Sequence, residues 1–139
     1  MTRIANNEKI IYPELSYKIN GILFAAQNDL GCFCNEKQYG DAIEQLLLEN
    51  NIKYKREKEL PPFFHGEQGG RNVVDFLIED KILLELKAKR MITREDYYQV
   101  RRYLESLNLK LGILANFRDK YLKPKRILNS DAKYSQFVD

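Results

Sequence analysis

The chain is poor in the residues that build cysteine, zinc and membrane chemistry. It holds two cysteines and one histidine in 139 residues. A structural zinc site wants about four Cys or His ligands, and an iron–sulfur cluster about four thiolates. Cys32, Cys34 and His65 fall short of both. Cys32 and Cys34 stand one residue apart, a spacing at which a disulfide is strained, so both are expected as free thiols in a reducing compartment. His65 lies in a turn-rich stretch and reads as a surface residue. No apolar run approaches the ~20 residues of a membrane span, and the start of the chain has no apolar segment of signal-peptide type. A cytoplasmic protein with no membrane partner is the expectation. Repeats, low-complexity linkers and domain boundaries are also missing. Residues 1–139 therefore read as one domain, with 1–13 as a loose arm and 130–139 as a tail.

What is present is a core of ordinary size, 44% of the residues being hydrophobic, and little charge imbalance. The 23 basic and 20 acidic side chains leave a formal net charge of +3. That permits a nucleic-acid partner without demanding one, because the local distribution decides.

The stretch Val73–Lys87 carries the main signal. Two apolar runs flank a short polar turn, the pattern of a buried β-hairpin. Asp75, Glu85 and Lys87 interrupt it. Burying a carboxylate in such a run costs several kcal/mol unless it is paired or metal-bound. The two-residue period puts Glu85 and Lys87 on one face and Leu84 and Leu86 on the other. A two-residue turn at Glu79-Asp80 would set Asp75 opposite Leu84 and part the two acids. A three-residue loop or a bulge would bring Asp75 beside Glu85, and that is the predicted register.

Elsewhere the apolar positions Leu15, Ile19, Ile22, Leu23, Ala26 and Leu30 predict a helix from Glu14, closed at Gly31. A second helix opens at Asn35 with Gln38 as its box partner and carries Tyr39, Ile43, Leu46 and Leu47 inward. Glu36 shares that inward stripe, either as a first-turn acid facing the helix dipole or as a third carboxylate of the site. Residues 52–60 read as a half-exposed strand, and Phe63–Gly66 as a continuing edge hairpin. A third helix starts after Thr93 and ends at Asn108. Gln99 and Tyr103 project together from one edge of it. Leu109–Ala115 reads as a buried strand, and a short strand is expected around Ile127. The order helix–helix–strand–strand–strand–helix–strand implies a mixed sheet with helices packed on it, α/β or α+β.

Phosphodiester hydrolysis needs an activated water, neutralised phosphate charge and help for the leaving oxygen. Mg²⁺ (or Mn²⁺) supplies these where two or three carboxylates hold it with positions left open. Asp75 and Glu85 are the candidate ligands, joined by the Leu86 carbonyl and by Glu36 directly or through water. Lys87 would orient the attacking water and stabilise phosphorane charge. Gln99 and Tyr103 would hold the lysine, a phosphate oxygen or an unpaired base. The alternative is a structural ion pair at a hairpin end, in a nuclease-fold module that binds nucleic acid or a protein without cutting. That alternative requires Asp75 and Glu85 to be neutralised by Arg or Lys.

From about Leu15 to Ile127 the chain resembles the GxxExxY proteins, a branch of the PD-(D/E)XK nuclease superfamily. The residues that carry the resemblance are Gly31 with Glu36 and Tyr39, then Asp75 in Val-Val-Asp-Phe-Leu-Ile-Glu-Asp and Glu85-Leu86-Lys87-Ala88. Gln99, Leu109-Lys110-Leu111-Gly112 and Asn116-Phe117 match as well. Gln99-xxx-Tyr103 is similar to the last RecB-like motif. One position departs from the pattern, since the glycine that names the motif falls at Phe33. The resemblance implies a restriction-endonuclease-like α/β core, a mixed sheet of four to five strands flanked by helices, with divalent-metal dependence, a DNA substrate and Glu36, Asp75, Glu85 and Lys87 in the site. Phosphate contacts are expected from Lys55, Arg56, Lys89, Arg90, Arg94, Arg101 and Arg102, and stacking from Tyr97 and Tyr98. A core of this size covers few base pairs alone, so a homodimer resembling archaeal Holliday-junction resolvases is the assembly considered.

Overall fold

In the computed structural model, which describes residues 11–129, a five-stranded sheet runs in the order β1-β2-β3-β4-β5. The strands are β1 (Tyr54–Glu59), β2 (Val73–Ile78), β3 (Ile82–Lys87), β4 (Leu111–Asn116) and β5 (Lys125–Leu128). All neighbours are antiparallel except β3 and β4. That parallel pair is joined through helix α3 (Arg94–Leu107), as parallel neighbours require a long connection. Helices α1 (Pro13–Leu30) and α2 (Glu36–Glu49) precede the sheet in sequence. Most of the N-terminal arm and the whole of the 130–139 tail lie outside the described residues.

The helix ends fall on the anticipated signals, except that α1 starts one residue before the expected Glu14. Pro13 opens α1, and the Gly31 N–H closes it on the Gln27 carbonyl at a φ of 80°. Asn35 and Gln38 exchange both bonds of a capping box at 2.9 Å. Asn108 ends α3 in the left-handed region at φ 55°. The expected edge hairpin at Phe63–Gly66 is not formed, and residues 61–72 make a closed loop instead. Pro61 and Pro62 have no N–H to continue a ladder. The Glu67 carboxylate closes the loop by accepting from the Phe63 N–H at 2.7 Å and the Asn72 side-chain amide at 3.0 Å.

Two cores sandwich the sheet. On one face Ile19, Leu23, Tyr39, Ile43 and Leu47 of α1 and α2 pack on Phe76, Ile78, Leu84, Leu86 and Ile113. On the other, Val100, Tyr103 and Leu104 of α3 pack on Val74, Leu83 and Leu114. This is a mixed α/β sheet flanked by three helices, consistent with a restriction-endonuclease-like core. Helix α3 sits so close to β4 that a Cβ on Gly112 would lie 2.8 Å from Val100 Cγ1. Gly112→Ala is therefore expected to destabilise the fold by about 1–3 kcal/mol, read as a lowered midpoint of urea unfolding at unchanged slope.

Candidate active site

The β2–β3 turn decides the site. Ile78 pairs with Ile82, so Glu79, Asp80 and Lys81 form a three-residue loop, and the register carries Asp75 to the level of Glu85. Glu79 and Asp80 take left-handed φ values of 56° and 55° to close it, with the Lys81 N–H donating to the Ile78 carbonyl at 2.9 Å.

Past Phe76 and Leu84 the ladder stops and carboxylates replace it. The Asp75 N–H donates to Glu85 Oε2 at 2.8 Å, and the Leu86 N–H donates to Asp75 Oδ2 at 2.7 Å. Each acid thus fills a backbone vacancy on the opposite strand with one oxygen. The strand also turns here. Phe76 and Ile78 belong to the core under α1 and α2, whereas Val74, of the same parity, belongs to the core under α3. The change falls at Asp75, beside Glu57 of β1, whose φ is 54°. Such a kink re-aims a side chain out of the plain alternation.

Glu85 is only 4% exposed. Burial pushes its carboxyl well above the usual carboxylate range, and the Asp75 charge adds to the rise. Asp75 is raised too, first by burial and then by the charge of Glu36, while the Leu86 N–H opposes the shift. Neither acid is in salt-bridge contact with a Lys or Arg of the described residues. Lys87 reaches both carboxyls only through its charge, which opposes their rise.

Lys87 extends from the same face as Glu85 and is held from α3. Its ammonium donates to Gln99 Oε1 at 3.3 Å and stands 3.8 Å from Asp96 Oδ1. Asp96 was not singled out from the sequence. It is buried, accepts from Lys89 at 2.8 Å and from the Thr93 N–H at 2.7 Å, and those bonds hold its carboxyl below the usual range against the opposing effect of burial. The signal was Thr93-xx-Asp96, a helix-capping spacing that also lies one turn before Gln99. Tyr103 is buried in the α3 core, its phenol raised by burial and by the Glu85 charge.

Glu36 is exposed rather than inward. It occupies the first position of α2, at the rim of the sheet. From there it lines a cleft of about 260 Å³ with Lys37, Gly40, Arg56, Asp75 and Leu86.

The basic candidates divide. Arg56 is taken up by Asp41 and Glu44, both at 2.8 Å, Lys89 by Asp96, and Lys55 by Asp80 at 3.3 Å near the hairpin turn. Arg102 lies over the Phe63 ring and Tyr97 packs partly into the α3 core. Arg101 is half-buried, whereas Arg90, Arg94 and Tyr98 are exposed.

The side chains on the cleft wall that could hold a metal, Glu36, Glu57 and Asp75, all offer carboxylate oxygens, as a hard divalent cation prefers, with the cations Lys37 and Arg56 beside them. No three His, Cys, Asp or Glu residues among the described ones form a ready-made cage. Asp75 and Glu85 offer the one or two carboxylates that Mg²⁺ typically takes alongside water, and two raised acids are what a nearby cation would return to the charged form.

A sheet of this order with acids at a strand fork and a lysine two residues on defines a restriction-endonuclease-like nuclease core. The profile of the PD-(D/E)XK nuclease superfamily matches residues 13–127, and the chain belongs to that superfamily. The crystal structure of SSO0001 superposes with a TM-score of 0.50 at 19% identity, over 70% of this chain and 54% of that one. The chain therefore spans about half of that protein, and the likeness concerns the fold. No curated protein sequence matches the chain. No described helix is long and apolar enough to cross a membrane.

Proposed function

We propose that this protein is a metal-dependent DNA nuclease that hydrolyses phosphodiester bonds in branched, single-stranded or end structures. The observation that carries the reading is the in-register pair Asp75 and Glu85, each with one oxygen committed to backbone and neither in salt-bridge contact with a Lys or Arg among the described residues. Bound Mg²⁺ or Mn²⁺ would supply an acidified water and neutralise phosphate charge. Asp75, Glu85 and the Leu86 carbonyl would hold the ion, with Glu36 closing the outer side of the cleft. Lys87 presents an ammonium to the phosphate oxygen or the attacking water, fixed in place by Gln99 and Asp96. Tyr103 backs Glu85 from the α3 side. Arg90, Arg94, Arg101 and Tyr98 provide uncommitted groups for the strand.

Two measurements test this reading. Calorimetric titration of Mn²⁺ into the wild type is expected to give a saturable isotherm that Asp75→Ala abolishes. A panel of single-stranded, duplex, flap and four-way DNAs with Mg²⁺ or Mn²⁺ should contain at least one substrate cleaved by the wild type and not by Asp75→Ala. An isotherm unchanged by the substitution, with no DNA cut, would leave a nuclease fold serving as a binding module.

A further inference from the structure

The turn between α1 and α2 presents Phe33, a residue 86% exposed. Isolated exposed apolar residues are common and by themselves mean little. This one is different in how firmly it is mounted. The Tyr39 hydroxyl donates to the Gly31 carbonyl, and the Cys34 N–H donates to the same hydroxyl at 3.4 Å. Tyr39 itself is buried and stacked on Phe117 at 4.2 Å, only 16° from parallel. The Arg118 guanidinium lies over the Phe33 ring, 5.4 Å from its centroid, and Arg118 Nε is fixed to the Cys32 carbonyl at 2.9 Å. The backbone either side of Phe33 is thus pinned to the core, while the ring stays in solvent with a cation on it.

Its location gives this arrangement a use. Phe33 and Arg118 line a groove of about 520 Å³ together with Glu36, Lys37 and Ala88. Glu36 and Lys37 also line the cleft that holds Asp75. The two depressions share those two residues as a common wall, and Ala88 directly follows Lys87. A strand whose phosphate sat at the acids would reach Lys37, Arg118 and the Phe33 ring next.

We propose that Phe33 and Arg118 form a stacking platform for an unpaired nucleobase adjacent to the phosphate held at the acid pair. The proposal rests on the nuclease reading for its location and goes beyond it in naming the substrate. The nucleotide beside the cleaved bond is single-stranded, as in a flap, a fork or a free strand, because a base stacked inside a duplex has no open face to lay on the ring. Arg118 serves the base as a second flat surface and the flanking phosphate as a counter-charge. A platform held rigid before binding avoids the ordering cost that a mobile side chain brings.

The chain contains no tryptophan, so Phe33→Trp installs a single indole emitter at the platform. In EDTA, where cleavage is not being read, a short single-stranded DNA is expected to quench that emission strongly. An abasic strand of the same length should do so weakly. Phe33→Ala should weaken binding of the base-bearing strand roughly 5- to 150-fold and leave the abasic strand nearly unaffected. Equal quenching by both strands, or an alanine variant that binds as tightly as wild type, would overturn the proposal. So would an emission shift that follows protein concentration and ignores DNA, because the ring would then be covering a second copy. Because this readout is binding, it separates from the nuclease test: quenching without cleavage leaves the platform standing, and cleavage without quenching removes the platform alone.

Discussion

Lys87→Ala is expected to lower metal-dependent cleavage by roughly 10²- to 10³-fold, the usual consequence of removing one preorganised donor to a developing oxyanion. Metal binding should change little. The Lys87 ammonium makes its closest polar contacts to Gln99 and Asp96, both on α3, and not to Asp75 or Glu85. Truncating it therefore leaves the carboxylate pair and its backbone bonds in place. Single-turnover rates on whichever DNA the wild type cuts, set beside Mn²⁺ isotherms, separate the two effects. A variant that cuts at full rate would show that the reacting phosphate does not lie by this side chain. Asp96→Asn should give an intermediate loss, because it frees Lys87 and Lys89 together while the Asn can still accept from the Thr93 N–H. Its rate profile against pH should move while that of the Phe33 variants does not.

The register that sets Asp75 opposite Glu85 was legible in the sequence, and the reason is geometric. A strand has a period of two, so requiring Asp75 and Glu85 to share a neighbourhood fixed an odd loop, and the loop is Glu79-Asp80-Lys81. The three helices were legible through their ends, since Asn35/Gln38, Asn108 and Gly31 each satisfy groups that a helix terminus leaves open. What could not be read is where the β2–β3 ladder gives way. Nothing in the one-dimensional pattern says that the N–H groups of Asp75 and Leu86 are served by carboxylates rather than carbonyls. The same holds for charge pairing across elements. Arg56 looked like a phosphate ligand because its partners Asp41 and Glu44 come from α2, where Gly40 leaves room for the guanidinium that a Cβ there would meet. Phe63–Gly66 failed for a local reason that was visible, the two prolines. The apolar run after them outweighed it in the reading.

The second large effect concerns stability, and it has the opposite sign to the first. Glu85→Gln is expected to abolish cleavage yet raise the melting temperature of the metal-free protein at pH values above the raised titration of the Glu85 carboxyl. The glutamine keeps the volume and an oxygen for the Asp75 N–H, but removes a buried negative charge beside another. In the wild type the folded-state carboxyl titrates well above its ordinary value of 4.5. As pH rises from that ordinary value through the raised one, the folded chain holds the proton longer than the unfolded chain. Stability therefore falls across that window and stays low above it. Neutralising the position should recover about 1–2 kcal/mol, or roughly 3–5 °C for each kcal/mol at this chain length. The advantage should shrink as pH is lowered toward the ordinary carboxylate range, where the wild-type acid is protonated in both states. Mn²⁺ reverses the ranking, because an ion bound only by the folded wild type adds about 2.7 kcal/mol at a hundred times its dissociation constant. Thermal scans of both proteins from pH 5 upward until the wild-type curve levels off, with and without Mn²⁺, contain the whole test. A variant less stable than wild type on that upper plateau without metal, or one stabilised equally by Mn²⁺, would mean that Glu85 serves the fold and not a cation.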